Sequence, residues 1–451
     1  MQFVHFIWII SLLIARQVGT QVGLDSSQRG WICTIGIVVG LGLIGKVGAV
    51  QAALRSNEIP GMRPPRMRGG ELFAVYRNWI EWIWIGGLFW TTICIGWPAS
   101  VQSMMVVEST ALELLLYALP SLLLTFLLEL ADYQLACYHH EQSSDSARVV
   151  DPNATPAPPI SFARQVILSA RHGWLILLAP TLILVAFSDL LAMSSPWLSE
   201  PLKAAVLAIG SLGLISFGFP WFISKLWQTR PLKFHPAVHP TCRSLGIRDA
   251  QILTWDTDQR VSNAAVVGWL PACRRLLISD GLLESLTADQ IRMIVLHEIA
   301  HIRRNHFLLR MLPVLISIVI LWITLWATSR SEFTAATADI SSGFASNGPL
   351  SMPASWAISL EFIFYSFAAI IMIASVAISC WIARQTEYDA DHVAVRLASE
   401  SKGLDCVVQD PAESLSDALQ QLVPTNRQSQ SSWLHPSIDA RVHRLRNLAH
   451  R

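Results

Sequence analysis

The sequence predicts a mainly α membrane protein of about eight transmembrane helices, carrying a small α+β domain at its cytoplasmic face. Three observations predict it. Of 451 residues, 52% are hydrophobic and 14% are charged, well below the roughly 25% charged of soluble domains. The apolar residues gather into runs, most of which reach the roughly 20 residues that cross a bilayer as a helix. Polar stretches late in the chain show strand and turn patterning, and they contain the five-residue motif His297-Glu298-Ile299-Ala300-His301.

The runs, in order, are Phe3–Val18, Trp31–Leu54, Trp79–Trp97, Leu112–Ala131, Trp174–Met193, Ala204–Trp227, Phe307–Thr328 and Trp356–Ala383. Trp and Tyr frequent their ends, as interfacial anchors do. The first run is the least regular. It reads either as an uncleaved anchor or as a signal h-region, although no clear A-x-A site follows it. Residues 1–225 therefore read as a six-span N-terminal membrane region. Residues 226–451 read as a second domain, interrupted by a two-span hairpin at about 307–383.

Charge places the loops. Arg55, Arg63, Arg66, Arg68 and Arg77 follow the second run. Arg148, Arg164 and Arg171 lie between the fourth and fifth, and Lys225, Arg230 and Lys233 follow the sixth. If every run crosses, all three clusters share one side, which the positive-inside rule makes the cytoplasm. Both termini then face it too. A net charge of +1 gives no argument for a nucleic-acid partner. The seven cysteines show no paired spacing, which fits a reducing compartment rather than a disulfide framework. Lys46, Glu113, Glu129 and Asp189 lie at or near membrane depth. Such groups are costly there, and read either as functional or as paired between helices.

Outside the runs, Tyr138–Pro159 is polar and rich in Pro and Ser, and is expected as a mobile loop. Ala250–Trp255, Val261–Val267 and Arg275–Ser279 have strand patterning, with turn residues between them. Ser401–Ser432 is polar and is expected to contain a flexible loop.

The motif has helix signals around it. Thr287 and Gln290 form a T-x-x-Q capping box. Ile291, Ile294, Val295, Ile299 and Ile302 then recur at helical spacing. On a helix, His297 and His301 project from one face and can hold one Zn²⁺. Glu298 borders that face without ligating, where a general base belongs. A zinc site needs a third protein ligand. His306 fails the extended pattern, because Arg304 and Phe307 stand where Gly and His are required. Glu387 is the better candidate, since the hairpin returns its segment to the same membrane face. Asp391, four residues on, shares its helix face and can orient a ligand imidazole, with His297 the expected one. A solvated acidic helix start would account for the same two carboxylates. His435, before Pro436, sits in an extended or turn setting, with Arg441 on a following helix.

Together, His297-Glu298-x-x-His301, Glu387-x-x-x-Asp391 and His435-Pro436 with Arg441 resemble the HtpX and CAAX prenyl protease family of membrane zinc metalloendopeptidases, of gluzincin type. The resemblance covers about residues 240–451. It implies a zincin-like catalytic domain with one Zn²⁺ on His297, His301 and Glu387, and Glu298 as general base. Asp391 and Arg441 would lie behind the ligands, and His435 would steady an oxyanion. It also implies that the strand carrying Asn263 and Ala264 pairs with an extended protein or peptide substrate. The run Leu296–Arg304 is similar as well to the metalloprotease domain of BlaR/MecR-type sensors, which would make the chain a sensor-transducer signalling through proteolysis. The expected location is a bacterial inner membrane with the active site facing the cytoplasm, the endoplasmic reticulum membrane being the alternative. Oligomeric state and the substrate's identity have no signal in the sequence.

Overall fold

The computed structural model describes residues 29–56, 69–93, 95–105, 109–150, 161–193, 199–257, 261–268, 270–328, 360–400, 408, 410–423, 431–432 and 434–449. They belong to two compact units, Met1–Ile215 and Ser216–Arg451. The division falls after Ile215, inside the apolar run 204–227.

The first unit contains α1 (Arg29–Ser56), α2 (Gly69–Ile93), α3 (Trp97–Gln102), α4 (Thr110–Val150), α5 (Phe162–His172), α6 (Leu175–Met193) and α7 (Glu200–Gly213). A π-helical turn, Leu214–Gly218, follows α7. α1 packs against α2 and α4, and it does so through small residues. A Cβ on Gly42 or Gly45 would lie 2.6 Å from Leu127 or Leu128 of α4. Leu43, Val47 and Val50 on the same helix stay exposed. Small residues inward and large apolar residues outward is the pattern of a helix bathed in lipid.

Among the described residues four helical stretches are long and apolar enough to cross a membrane: Gly30–Leu54, Thr110–Glu141, Leu175–Met193 and Ala205–Leu226. Each overlaps an expected run, and Phe3–Val18 lies outside the described residues. The expected span Trp79–Trp97 is displaced: α2 covers Gly69–Ile93 and Trp97 opens α3. The break comes at Gly96, with φ of 74°, followed by Pro98 in the first turn of α3. The expected loop Tyr138–Pro159 is also corrected in part, because α4 runs on to Val150.

Three of the deep carboxylates are paired. Glu129 meets Arg77 at 2.7 Å and accepts from Ser169 at 2.6 Å. Glu113 accepts from Tyr117 at 2.7 Å and from Gln102 at 3.1 Å. Asp189 accepts from Ser109 and from the Ala111 amide. Interhelical pairing therefore accounts for them.

The second unit runs α8 (Phe219–Leu226), β1 (Arg230–Pro231), α9 (His239–Ser244), β2 (Ile252–Trp255), β3 (Ala264–Val267), β4 (Arg275–Ser279), α10 (Asp280–Ser285), α11 (Ala288–Arg303), α12 (His306–Thr328), α13 (Leu360–Glu400), α14 (Pro411–Leu422) and α15 (Ile438–Ala449). The sheet order is β1-β2-β4-β3. β2 runs parallel to β4 and β3 antiparallel to it, with Ala264 opposite Ile278. β3 is thus an edge strand. It ends at Gly268, whose φ of +91° is open to glycine, and where a Cβ would meet the Cys273 carbonyl at 3.0 Å. The three expected strands are present, two of them shortened at their starts; β1 was not expected.

α11 is the core of this unit. The capping box closes as the sequence predicts: the Thr287 amide donates to Gln290 Oε1 at 2.9 Å, and the Gln290 amide to Thr287 Oγ1 at 3.4 Å. Ile291, Met293, Ile294, Val295, Leu296, Ile299 and Ala300 are all buried. Those positions cover most of the helix circumference because β3, α13 and α14 pack around it. α14 lies within the stretch expected to hold a flexible loop. Leu415, Ala418 and Leu419 bury one of its faces, and Asp410 accepts from the Glu413 amide at 3.0 Å. Asp410-Pro411-x-Glu413 is an N-terminal helix signature that could have revealed it.

Candidate active site

α11 ends at Arg303, and Asn305 takes φ of 52°. Asn tolerates this left-handed conformation better than most residues. The bend starts α12 at His306 and folds that ring back onto the motif: His306 Nδ1 lies 2.8 Å from His301 Nδ1. α12 and α13 pack along each other, and this brings Glu387 and Asp391 of α13 beside α11. Their side chains are almost fully buried.

Three donor residues converge there. His297 Nε2 and His301 Nε2 are 3.2 Å apart. Glu387 Oε2 is 3.5 Å from the first and Glu387 Oε1 is 3.5 Å from the second. Among the described residues, His297, His301 and Glu387 form a group that could hold a metal ion. Zn–ligand bonds of about 2.0–2.1 Å make the edge of a tetrahedron about 3.4 Å. The two imidazoles are spaced near that edge, the Glu387 carboxylate presents one oxygen to each of them, and one ligand atom from each residue lies within 4.8 Å of the others, so the donor set suits zinc in chemistry and proximity.

The surrounding groups orient the rings. His297 Nδ1 faces Asp391 Oδ1 at 2.9 Å, a close but bent approach. Asp391 is gripped by Arg441, with Nε at 2.8 Å and Nη2 at 2.6 Å on its two oxygens. On the other ligand, His306 Nε2 lies 2.9 Å from Asp389 Oδ2. A proton there, facing the carboxylate, leaves His306 Nδ1 to accept from His301 Nδ1 and keeps the His301 Nε2 lone pair directed at the site. Arg304, which breaks the extended zinc pattern, pairs instead with Asp389 at 2.9 Å.

Electrostatics follow the same arrangement. Burial opposes charge on His297, but Asp391 and Glu387 outweigh it and raise the ring to about 9. Burial, with His297 beside it, lowers His301 to about 2. Burial opposes the charged form of Glu387, yet hydrogen bonds from His297 and His435 hold its carboxyl well below the ordinary range. Burial pushes Glu298 up to about 7. Among the described residues Glu298 has no hydrogen-bond partner, and it faces a cavity of about 630 Å³.

His297, His301, Glu298, Glu387, Asn263, Ala264, His435 and Arg441 all line that cavity. Asn263 sits just before edge strand β3, its amide donating to Ser279 Oγ at 2.8 Å and its Oδ1 accepting from the Ala264 amide at 3.0 Å. His435 is half exposed, with Nδ1 3.2 Å from Glu387 Oε2. The sequence-predicted residues are therefore brought together. Sequence reasoning passed over His306 once it failed as a ligand, missed Asp389 beside the chosen carboxylates, and missed Arg310, whose Nη2 lies 2.9 Å from Glu387 Oε1. His306→Ala removes the partner that orients His301. Zinc affinity should fall about 10–100-fold, the usual cost of losing such a partner, as measured by competition with a chromophoric chelator.

Residues 230–449 match the profile of Peptidase family M48. A Protease HtpX homolog of Desulfotalea psychrophila is 22% identical over 208 residues, covering 44% of this chain and 68% of that protein. Protease HtpX of Actinobacillus pleuropneumoniae is 27% identical over 196 residues, covering 41% of this chain and 62% of that one. The matched part thus spans about two thirds of the relatives' length. Among solved structures, the crystal structure of S. mikatae Ste24p is 16% identical, covers 93% of this chain and 100% of that chain, and has a TM-score of 0.40.

Proposed function

From the match of residues 230–449 to Peptidase family M48 and their similarity to the HtpX proteases, we propose that the chain is an integral membrane, zinc-dependent endopeptidase. The observation that carries this reading is the convergence of His297, His301 and Glu387 beside Glu298, which has no hydrogen-bond partner among the described residues, in a cavity bordered by an edge strand. Zinc bound on these three residues would supply Lewis acidity, polarising a peptide carbonyl and making water a better nucleophile at neutral pH. Glu298 takes the proton from the attacking water and passes it to the leaving amine nitrogen. His435, at the open side of the site, donates to the oxygen on which negative charge develops. The free edge of β3 pairs with an extended stretch of the substrate, and Asn263 and Ala264 sit where that stretch passes the reacting atoms.

The finer membrane reading belongs to the same proposal. In this reading eight spans cross the bilayer, with α12 and α13 as the last two, the basic loops support an active site at the cytoplasmic face, and the membrane is a bacterial inner membrane. The substrates are proteins or peptides.

The test uses the full chain purified in detergent. Metal analysis should find about one zinc per chain, as expected for a three-ligand catalytic site. Casein cleavage should stop with 1,10-phenanthroline and return on adding zinc. Absence of zinc together with absence of chelator-sensitive cleavage overturns the reading.

A further inference from the structure

Arg310 is the single Lys, Arg, Asp or Glu in α12, His306–Thr328. A lone charge at the head of so apolar a helix is costly unless it is paired or reaches water. Its side chain is only 28% exposed, and the guanidinium crosses to α13. Nε donates to Thr386 Oγ1 at 2.8 Å. Nη2 donates to Glu387 Oε1 at 2.9 Å and reaches the Ala383 carbonyl at 3.4 Å. These three acceptors occupy one turn of α13. Thr386 Oγ1 donates its own proton to the Ala383 carbonyl at 2.8 Å, so its lone pairs are left for Arg310. On the opposite oxygen of Glu387, Arg441 Nη1 stands at 3.3 Å. The carboxylate is held between two guanidinium groups, one on each oxygen.

We propose that Arg310 is a positioning residue for the metal site: from the head of α12 it holds the Glu387 carboxylate where it meets His297 and His301, so that cation affinity depends on the packing of α12 against α13. The inference rests on the zinc reading above. A planar fork suits this task, because it can engage Thr386 and Glu387 at once in fixed geometry, whereas an ammonium acts as a point charge on a flexible stem. The clamp also gives the hairpin a chemical role. Any displacement of α12 along α13 pulls on the third donor through this clamp, whereas the two imidazoles are fixed to α11 and have no bond to Arg310.

The test is the zinc dissociation constant of the full chain in detergent, measured against a chromophoric chelator, with the visible spectrum of the Co²⁺-loaded protein as a second readout. Arg310→Met keeps the stem and its apolar bulk. It should weaken zinc binding about 10–100-fold, the range seen when an outer partner of a ligand is lost. It should also change the Co²⁺ absorption bands, which a purely structural loss elsewhere in the hairpin would not do. Arg310→Lys should fall between Met and wild type. Thr386→Val, which removes one anchor of the fork and leaves the charge, should stay close to wild type. A folded Arg310→Met variant with wild-type affinity and an unchanged Co²⁺ spectrum overturns the clamp while leaving the zinc reading intact. Wild type that binds no zinc overturns both. If Arg310→Met does not fold, Arg310→Lys decides: weakened zinc binding supports the clamp, and wild-type binding overturns it.

Discussion

Glu298→Gln leaves zinc content unchanged and lowers peptide cleavage by about 10²–10⁴-fold, the range general acid–base catalysis supplies. The amide keeps the size and shape of the carboxyl, and Glu298 is not among the three converging donors, so the metal site survives. What is lost is the only group at this position able to take a proton from water and return it to nitrogen. Because Glu298 has no partner among the described residues, the substitution orphans no neighbouring donor, and folding should be unaffected. Metal analysis beside casein cleavage checks both halves of the expectation. Cleavage by Glu298→Gln at wild-type rate would remove Glu298 from the mechanism, and loss of zinc would show that it contributes to the site.

Asp391→Ala acts through stability. Asp391 and Arg441 are 2% and 5% exposed, and the pair is bidentate. Removing one partner of such a pair typically costs about 3–5 kcal/mol, because the other charge is left in a poorly solvated site. Glu387, at 3.3 Å from Arg441, compensates in part and draws Arg441 toward the metal ligands. His297 loses its Nδ1 partner at the same time, so zinc binding should also weaken about 10–100-fold. Thermal unfolding followed by circular dichroism, with and without zinc, checks the first effect, and a chelator competition checks the second. Asp391→Asn keeps an acceptor for His297 and should recover part of both. An Asp391→Ala variant with an unchanged unfolding midpoint would show that Arg441 finds water. The sign with pH follows from the depressed folded-state carboxyl. Burial opposes its charge, but Arg441 outweighs burial. The stabilisation is present above the ordinary aspartate range and is lost as pH falls through the depressed value.

Much of the candidate site is legible in the sequence alone. His297 and His301 are four apart on a helix whose start is marked by Thr287 and Gln290, and both facts are local. The choice of Glu387 over His306 followed from a hairpin whose two arms are set in register by the membrane. α14 was missed because polar composition was weighed above its capping signature and its apolar face. The displacement of α2 from Trp79–Trp97 to Gly69–Ile93 follows from Gly96 and Pro98, which stop one helix and start the next inside an apolar stretch.

The sequence by itself determined whatever depends on neighbours along one element: the apolar runs, the pair of imidazoles on one helix face, the adjacent Glu298, and the shared face of Glu387 and Asp391. Those follow from a fixed rise and twist per residue. Only the tertiary structure decided the rest. It placed the third donor beside the two imidazoles, gave Arg441 to Asp391, returned His306 to His301, and put Arg310 on Glu387. Each of these joins different helices, and its distance depends on how α11, α12, α13 and α15 pack. Side-chain volumes across several interfaces set that packing, and no periodicity within a single segment records it.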